Sequence, residues 1–349
     1  YATEPPNLAL LTHANRTFGI VSSFSTDRTT KTVHLTLAAS TAETAWASAT
    51  GGDWENAANW TPAAPAGTPE SRARFWGAIT APSTVTLSTD TRIGGLSFNN
   101  SQRYTLAGDA TLSLGDQSNG GYLTADAGSH TVNLALNLLN PISVSVPASQ
   151  TLTLNGPVSG AGAFTKNGAG TLALTNANTF SGGVTLNAGT LTIPDAGILG
   201  SGPLTLAGGT ASITSGGALT LATPVNVQAN TTLDLGANTL TSSGLLRWTA
   251  DGLLTRQGSG EWRISGTADA NGSNRQLNFR QGVTRLLSGA SVSLRGGSRD
   301  VLQTTYSANG QTSSLVIEPG ARLDAGGIRL MTGRSEERRV GKECRSRWS

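Results

Sequence analysis

The chain has 349 residues, of which 13% are charged, 5% aromatic and 37% apolar, with 44 glycines against 13 prolines and a formal net charge of +3. A charged fraction near half the usual ~25% combined with ample apolar content argues against intrinsic disorder of the chain as a whole, and no apolar run reaches the length of a membrane helix. What remains is a turn-rich, all-β composition.

Residues 1–45 show no clear periodicity. Arg28 and Lys31, then Val33–Ala39, then Ala42–Ala45, follow the order of the basic, apolar and small-residue regions of a secretory signal. The segment reads as a lead-in, either a signal remnant or an unstructured stretch. Residues 46–82 are rich in tryptophan, with Trp46, Trp54, Trp60 and Trp76. A solenoid needs an end that hides its first strand edges, and this stretch is the candidate cap. Asp53 and Glu55 beside Trp54 and Trp60 also permit a sugar-stacking reading, against the commoner role of tryptophan in buried packing.

From residue 83 to 333 the chain repeats. Thr-Leu-x-Leu and its variants begin at Thr111, Thr131, Thr151, Thr171, Thr190, Thr210 and Thr232. Val144, Phe164, Val184 and Leu204 form a second apolar series, and Gly162, Gly182 and Gly202 a third. Side chains alternate across a strand, so Leu172 and Leu174 share one face and Thr171 and Ala173 the other. The shared period predicts a right-handed parallel β-helix of about 20 residues per coil, in which each coil is stabilised by its neighbours. One interior column is then expected at Leu112, Val132, Leu152, Leu172, Leu191, Ala211 and Leu233. The next is expected at Leu114, Leu134, Leu154, Leu174, Ile193, Ile213 and Leu235.

Chemistry-bearing residues are sparse and scattered. Asp109, Asp116, Asp126, Asp195 and Asp234 are the acidic residues between 105 and 240, none two apart and none in one column. His13, His34 and His130 stand far apart, and His130, preceding a strand, reads as a turn residue. The glycines around Gly160, Gly162 and Gly168 lack dinucleotide-loop spacing. The expectation is a non-enzymatic chain with no catalytic residue, cofactor, metal site or nucleic-acid surface.

The segment 159–193 resembles the passenger-associated-transport repeat, the autotransporter-associated β-strand repeat of bacterial secreted proteins. The likeness is carried by Gly160, Gly162, Lys166, Gly168, Gly170, Thr171, Leu172, Leu174, Asn178, Thr179, Phe180, Ser181, Gly182, Gly183, Val184, Gly189, Thr190 and Leu191. Phe180 stands where the repeat usually has tyrosine. The resemblance implies a structural stalk of an exported passenger, extracellular or on the bacterial cell surface. It implies an outer-membrane export barrel in cis or another surface anchor. Two alternatives stand beside it: an adhesin-type module contacting glycans or a host surface, and a polysaccharide-active β-helix enzyme.

The last sixteen residues, Arg334–Ser349, resemble one translated frame of a common sequencing adapter, codon for codon, and read as an artefact. Setting aside their six basic and three acidic residues leaves the chain with no net charge, and the only cysteine, Cys344, goes with them.

Overall fold

The computed structural model describes residues 20–27, 32–39, 43–115, 120–270, 275–294, 302–305, 313–325, 328–331 and 337–339. His13, Asp116, Cys344 and most of the lead-in and tail fall outside these. Within the lead-in, Ile20–Asp27 and Thr32–Ala39 pair antiparallel. In the tail, Glu337–Arg339 pairs antiparallel with Ile328–Met331.

The rest is a β-solenoid. Two sheets of fourteen strands run its length, almost wholly parallel, and strands two or three positions apart in the chain are neighbours in space. Face one carries Tyr104–Ala107, His130–Val132, Thr151–Leu154, Thr171–Leu174, Thr190–Ile193 and Thr210–Ile213. Face two carries Arg72–Trp76, Gly95–Asn99, Gly121–Ala127, Ile142–Ser145, Phe164–Asn167, Val184–Leu186 and Leu204–Leu206. The strands alternate because the sequence does: Thr171–Leu174 reads half-buried, buried, half-buried, buried.

A third face exists only in part. Four strands, ending with Val158–Gly160, build it at one end, and five, beginning with Ala218–Leu221, build it at the other. Between them the chain passes this face without a strand, through residues 175–183 and again through the short 3-10 helix Ala196–Leu199. The coil length follows. Where a turn has only two strands, equivalent residues lie 19 or 20 apart, as in Thr171↔Thr190↔Thr210. Where it has three, the step reaches 22 for Thr131↔Thr153 and 23 for Thr232↔Thr255, although the turn from Thr151 to Thr171, which holds Val158–Gly160, takes 20.

This corrects the two expected columns. Leu152, Leu172, Leu191, Ala211 and Leu233 do stack, but Val132 aligns with Leu154, and His130 takes the place opposite Leu152. Leu112 and Leu114 belong to face three, opposite Leu136 and Leu138. Leu134 lies in a bend, buried but outside any strand. Phe164 stacks on Ile142, not Val144, and the residue opposite Val144 is Lys166. His130 is no turn residue either. It opens a strand, is buried, lies flat against Phe98 at 4.7 Å, and accepts the Tyr104 amide on Nδ1 at 3.1 Å.

At one end Trp46, Trp54 and Trp60 are buried at 1%, 2% and 4% exposure around Phe75, with Trp46 and Trp60 meeting edge to face at 5.1 Å. The Trp60 indole donates to the Trp54 carbonyl at 2.7 Å. Glu55 accepts the amides of Ser88 and Thr89, so its carboxylate holds a turn. These tryptophans are packing, with no ring face open to a sugar.

Candidate functional site

The segment singled out by its sequence is where face three is interrupted. The preceding strand, Val158–Gly160, would present an unpaired edge there, and buried unpaired backbone groups are costly. Residues 175–183 satisfy it without forming a strand. The buried Asn178 side chain accepts the Val158 amide on Oδ1 at 2.7 Å and donates from Nδ2 to the Ile198 carbonyl, also at 2.7 Å. Thr179 and Ser181, exposed in their side chains, donate their backbone N–H groups to the carbonyls of Val158 and Gly160. One carboxamide thus bridges three successive turns, replacing a strand by a side chain.

Phe180 fills the space this leaves inside. It is fully buried and meets Phe164 edge to face at 5.5 Å. In the next turn Ile198 and Leu199 of the 3-10 helix do the same work, with Asp195 capping the helix through the Gly197 amide at 2.7 Å. Leu172 and Leu174 are fully buried on face one.

Lys166 is the chemically unusual member. Strand alternation places it in the interior column between Val144 and Leu186, and it has no exposed surface. Its Nζ donates to the carbonyls of Asn167 at 2.8 Å, Gly168 at 2.7 Å and Ala188 at 3.2 Å. Three donors meet three acceptors, which is what a buried ammonium requires. Burial pulls its pKa from 10.5 down to about 8.

The glycines gather at two corners. Gly160, Gly162, Gly182 and Gly183 lie where face three would meet face two. Gly168, Gly170 and Gly189 lie where face two turns into face one. At Gly182 a Cβ would fall 2.5 Å from the Gly162 carbonyl carbon, so the two turns touch through backbone. At Gly168, with φ +75°, it would fall 2.3 Å from the Val146 oxygen. Thr171 and Thr190 pair in register on the outer side of face one, with Leu191 inside.

The predicted residues therefore form two glycine corners and a continuous interior. They do not converge on a cavity. Among the described residues no group of three or more His, Cys, Asp or Glu side chains is placed to hold a metal ion. Asp126, Asp195 and Asp234 each accept a local hydrogen bond at separate places. Two outer ladders have no counterpart in the sequence expectations: Asn155 on Asn133 with Thr175 on Asn155, and Asn187 on Asn167 with Asn167 on Ser143. The recurrence of Asn167 and Asn187 at the repeat spacing was the available signal.

A parallel β-solenoid whose turns are joined by backbone, glycine corners and a bridging asparagine defines a repeat protein. The chain carries a passenger-associated-transport repeat: residues 164–193 match that family's model. It is also similar to the "Adhesin BmaC autotransporter" of Brucella suis biovar 1 (strain 1330), 33% identical over 132 residues. That match covers 31% of this chain and 4% of the relative, so the chain corresponds to a small part of its length. No solved structure matches. Among the described residues no helix is long and apolar enough to cross a membrane, which says nothing of membrane-spanning strands.

Proposed function

We propose that this chain is a stretch of the structural, non-catalytic stalk of an exported passenger, with the repeat supporting translocation and folding at the cell surface. Residues 46–82 would cap the stalk, 83–333 would form the rod, 1–45 would be a lead-in, and 334–349 would be foreign to it. An outer-membrane barrel in cis, or another surface anchor, would be its export partner.

The observation that carries this reading is the Asn178 bridge between Val158 and Ile198. A chain that crosses a pore unfolded and refolds beyond it needs a segment that orders with little loop-closure cost. The two-strand turns provide it, because each contacts a neighbour only 19 or 20 residues away. The buried polar groups Lys166 and Asn178 are satisfied within the same few turns. The repeat residues from Gly160 to Leu191 act on this reading as a folding unit, with no ligand.

The test is surface display of the full-length protein with residues 164–193 scrambled. The expected result is reduced display with synthesis unchanged. Undiminished display would overturn the reading.

A further inference from the structure

The outer side of face two carries a feature that the stalk does not need. Arg72–Trp76 sends Ala73 and Phe75 into the core, so alternation forces Trp76 outward, 40% exposed. Its ring is nevertheless held in place. The Arg74 guanidinium lies over it at 4.6 Å, and its Nε1 donates to the Ser97 hydroxyl at 3.0 Å. Arg74 is itself ion-paired with Glu43. One face and the N–H edge of the indole are thus occupied, leaving the exposure on the other face.

The surroundings are polar. Asn99 pairs with Trp76 on the neighbouring strand and is exposed. The strand beyond bulges between Ala125 and Ala127, which turns Asp126 out into solvent. At strand spacings of about 4.8 Å, the backbone of Asn99 lies about 5 Å and that of Asp126 about 10 Å across the sheet from the backbone of Trp76.

We propose that Trp76, Asn99 and Asp126 form a binding site for a neutral glycan, with a sugar ring stacked on the open face of Trp76. The indole offers the flat apolar surface that the C–H face of a pyranose covers. Asn99 supplies a donor and an acceptor and Asp126 supplies acceptors, the pairing that sugar hydroxyls take. Two observations fix the chemistry. Arg74 is committed to Glu43 and to the ring, and Arg72 to the carbonyls of Pro69 and Ser71, while Asp126 adds negative charge, so the patch does not select an anion. The apolar area is also small: 40% of a tryptophan's ~250 Å² is about 100 Å², far below the ~800 Å² per partner of a stable protein interface.

The experiment is calorimetric titration of the full chain with cellohexaose, maltohexaose and mannohexaose, beside a heparin hexasaccharide. Saturable binding of at least one neutral hexasaccharide is expected. Trp76→Ala should weaken it about tenfold or more, Trp76→Phe should retain most of it, and Asn99→Ala should weaken it several-fold. Because Asn99 is exposed, Asn99→Ala still tests the site should Trp76→Ala fail to fold. Absence of binding to all three, binding to heparin alone, or binding unmoved by both alanine variants would overturn the proposal. So would a change of oligomeric state in Trp76→Ala, which would make the patch a contact between copies of the chain.

Discussion

The ammonium of Lys166 donates to the carbonyl of Ala188, which lies in the following turn of the solenoid. A cation therefore sits inside a column otherwise filled by Val144, Leu186 and Leu206, and the turn above it completes its coordination. The bond ties the repeat together internally, and it makes the stability of the repeat titratable.

The pH dependence has a definite sign. The folded pKa of Lys166, about 8, lies below its ordinary 10.5. Under pH 8 both states hold the proton and the cost of burying it is fully felt. Between pH 8 and 10.5 the unfolded chain binds the extra proton, so stability rises with pH through that window. Tyr122, which burial raises to about 12, acts in the opposite direction above pH 10. Lys166→Met should abolish the Lys166 contribution, and the difference between the two melting curves cancels that of Tyr122. At pH 7 the variant removes the cost of the buried charge but takes a donor from the carbonyls of Asn167, Gly168 and Ala188, so a net loss of about 1–3 kcal/mol is expected. Thermal melts at pH 7, 8 and 9.5 check this, and parallel pH profiles would contradict it.

Asn178→Leu should be costly for a different reason. It leaves the Val158 amide and the Ile198 carbonyl buried without partners. Two such groups predict a loss of about 2–5 kcal/mol in denaturant unfolding. The Val158 amide should also exchange with solvent far faster than in the parent.

Face assignment can be checked within one strand. Leu172 has no exposed surface, while Thr171 is half-buried on the outer side. Leu172→Asp should destabilise by more than about 3 kcal/mol, combining a lost apolar side chain with an unpaired buried carboxylate. Thr171→Asp should cost far less, and equal losses would mean that the column is wrong.

Deletion lengths test the stacking itself. Removing Thr171–Gly189 joins Gly170 to Thr190 and brings Thr190 into the place of Thr171, opposite Thr151. The shortened rod should fold, weakened by the loss of Asn178 beneath Val158. Removing only Thr171–Phe180 leaves half a turn and puts Val184 out of line with Phe164. That variant should lose cooperative unfolding.

The period, the parallel stacking and the interior leucines from Leu152 to Leu233 were legible because alternation and a constant step coincide there. The failures fall where a third strand enters. Thr111–Leu114 has the same pattern as Thr151–Leu154, yet it lies on face three. Alternation says which side of a strand is buried and not which sheet the strand joins. His130, Lys166 and Arg256 were hidden for another reason. Each occupies an interior position, Arg256 opposite Leu233 and Phe279, where polarity argues for the outside. Their burial depends on backbone carbonyls at strand ends and turns: Ala127 for His130, Gly168 for Lys166 and Gly260 for Arg256. Asn178 was visible as part of a resemblance, but its role needs the missing strand, which only the structure reveals.

On the proposed reading, residues 159–193 are the most stable part of the rod and order first. Hydrogen exchange of the full chain, read segment by segment, addresses it directly. The amides of Phe164–Asn167, Thr171–Leu174, Val184–Leu186 and Thr190–Ile193 should exchange slowest of all, with Thr239–Ser242 and Glu261–Ile264 faster. Slower exchange in those later strands than in the repeat would contradict it.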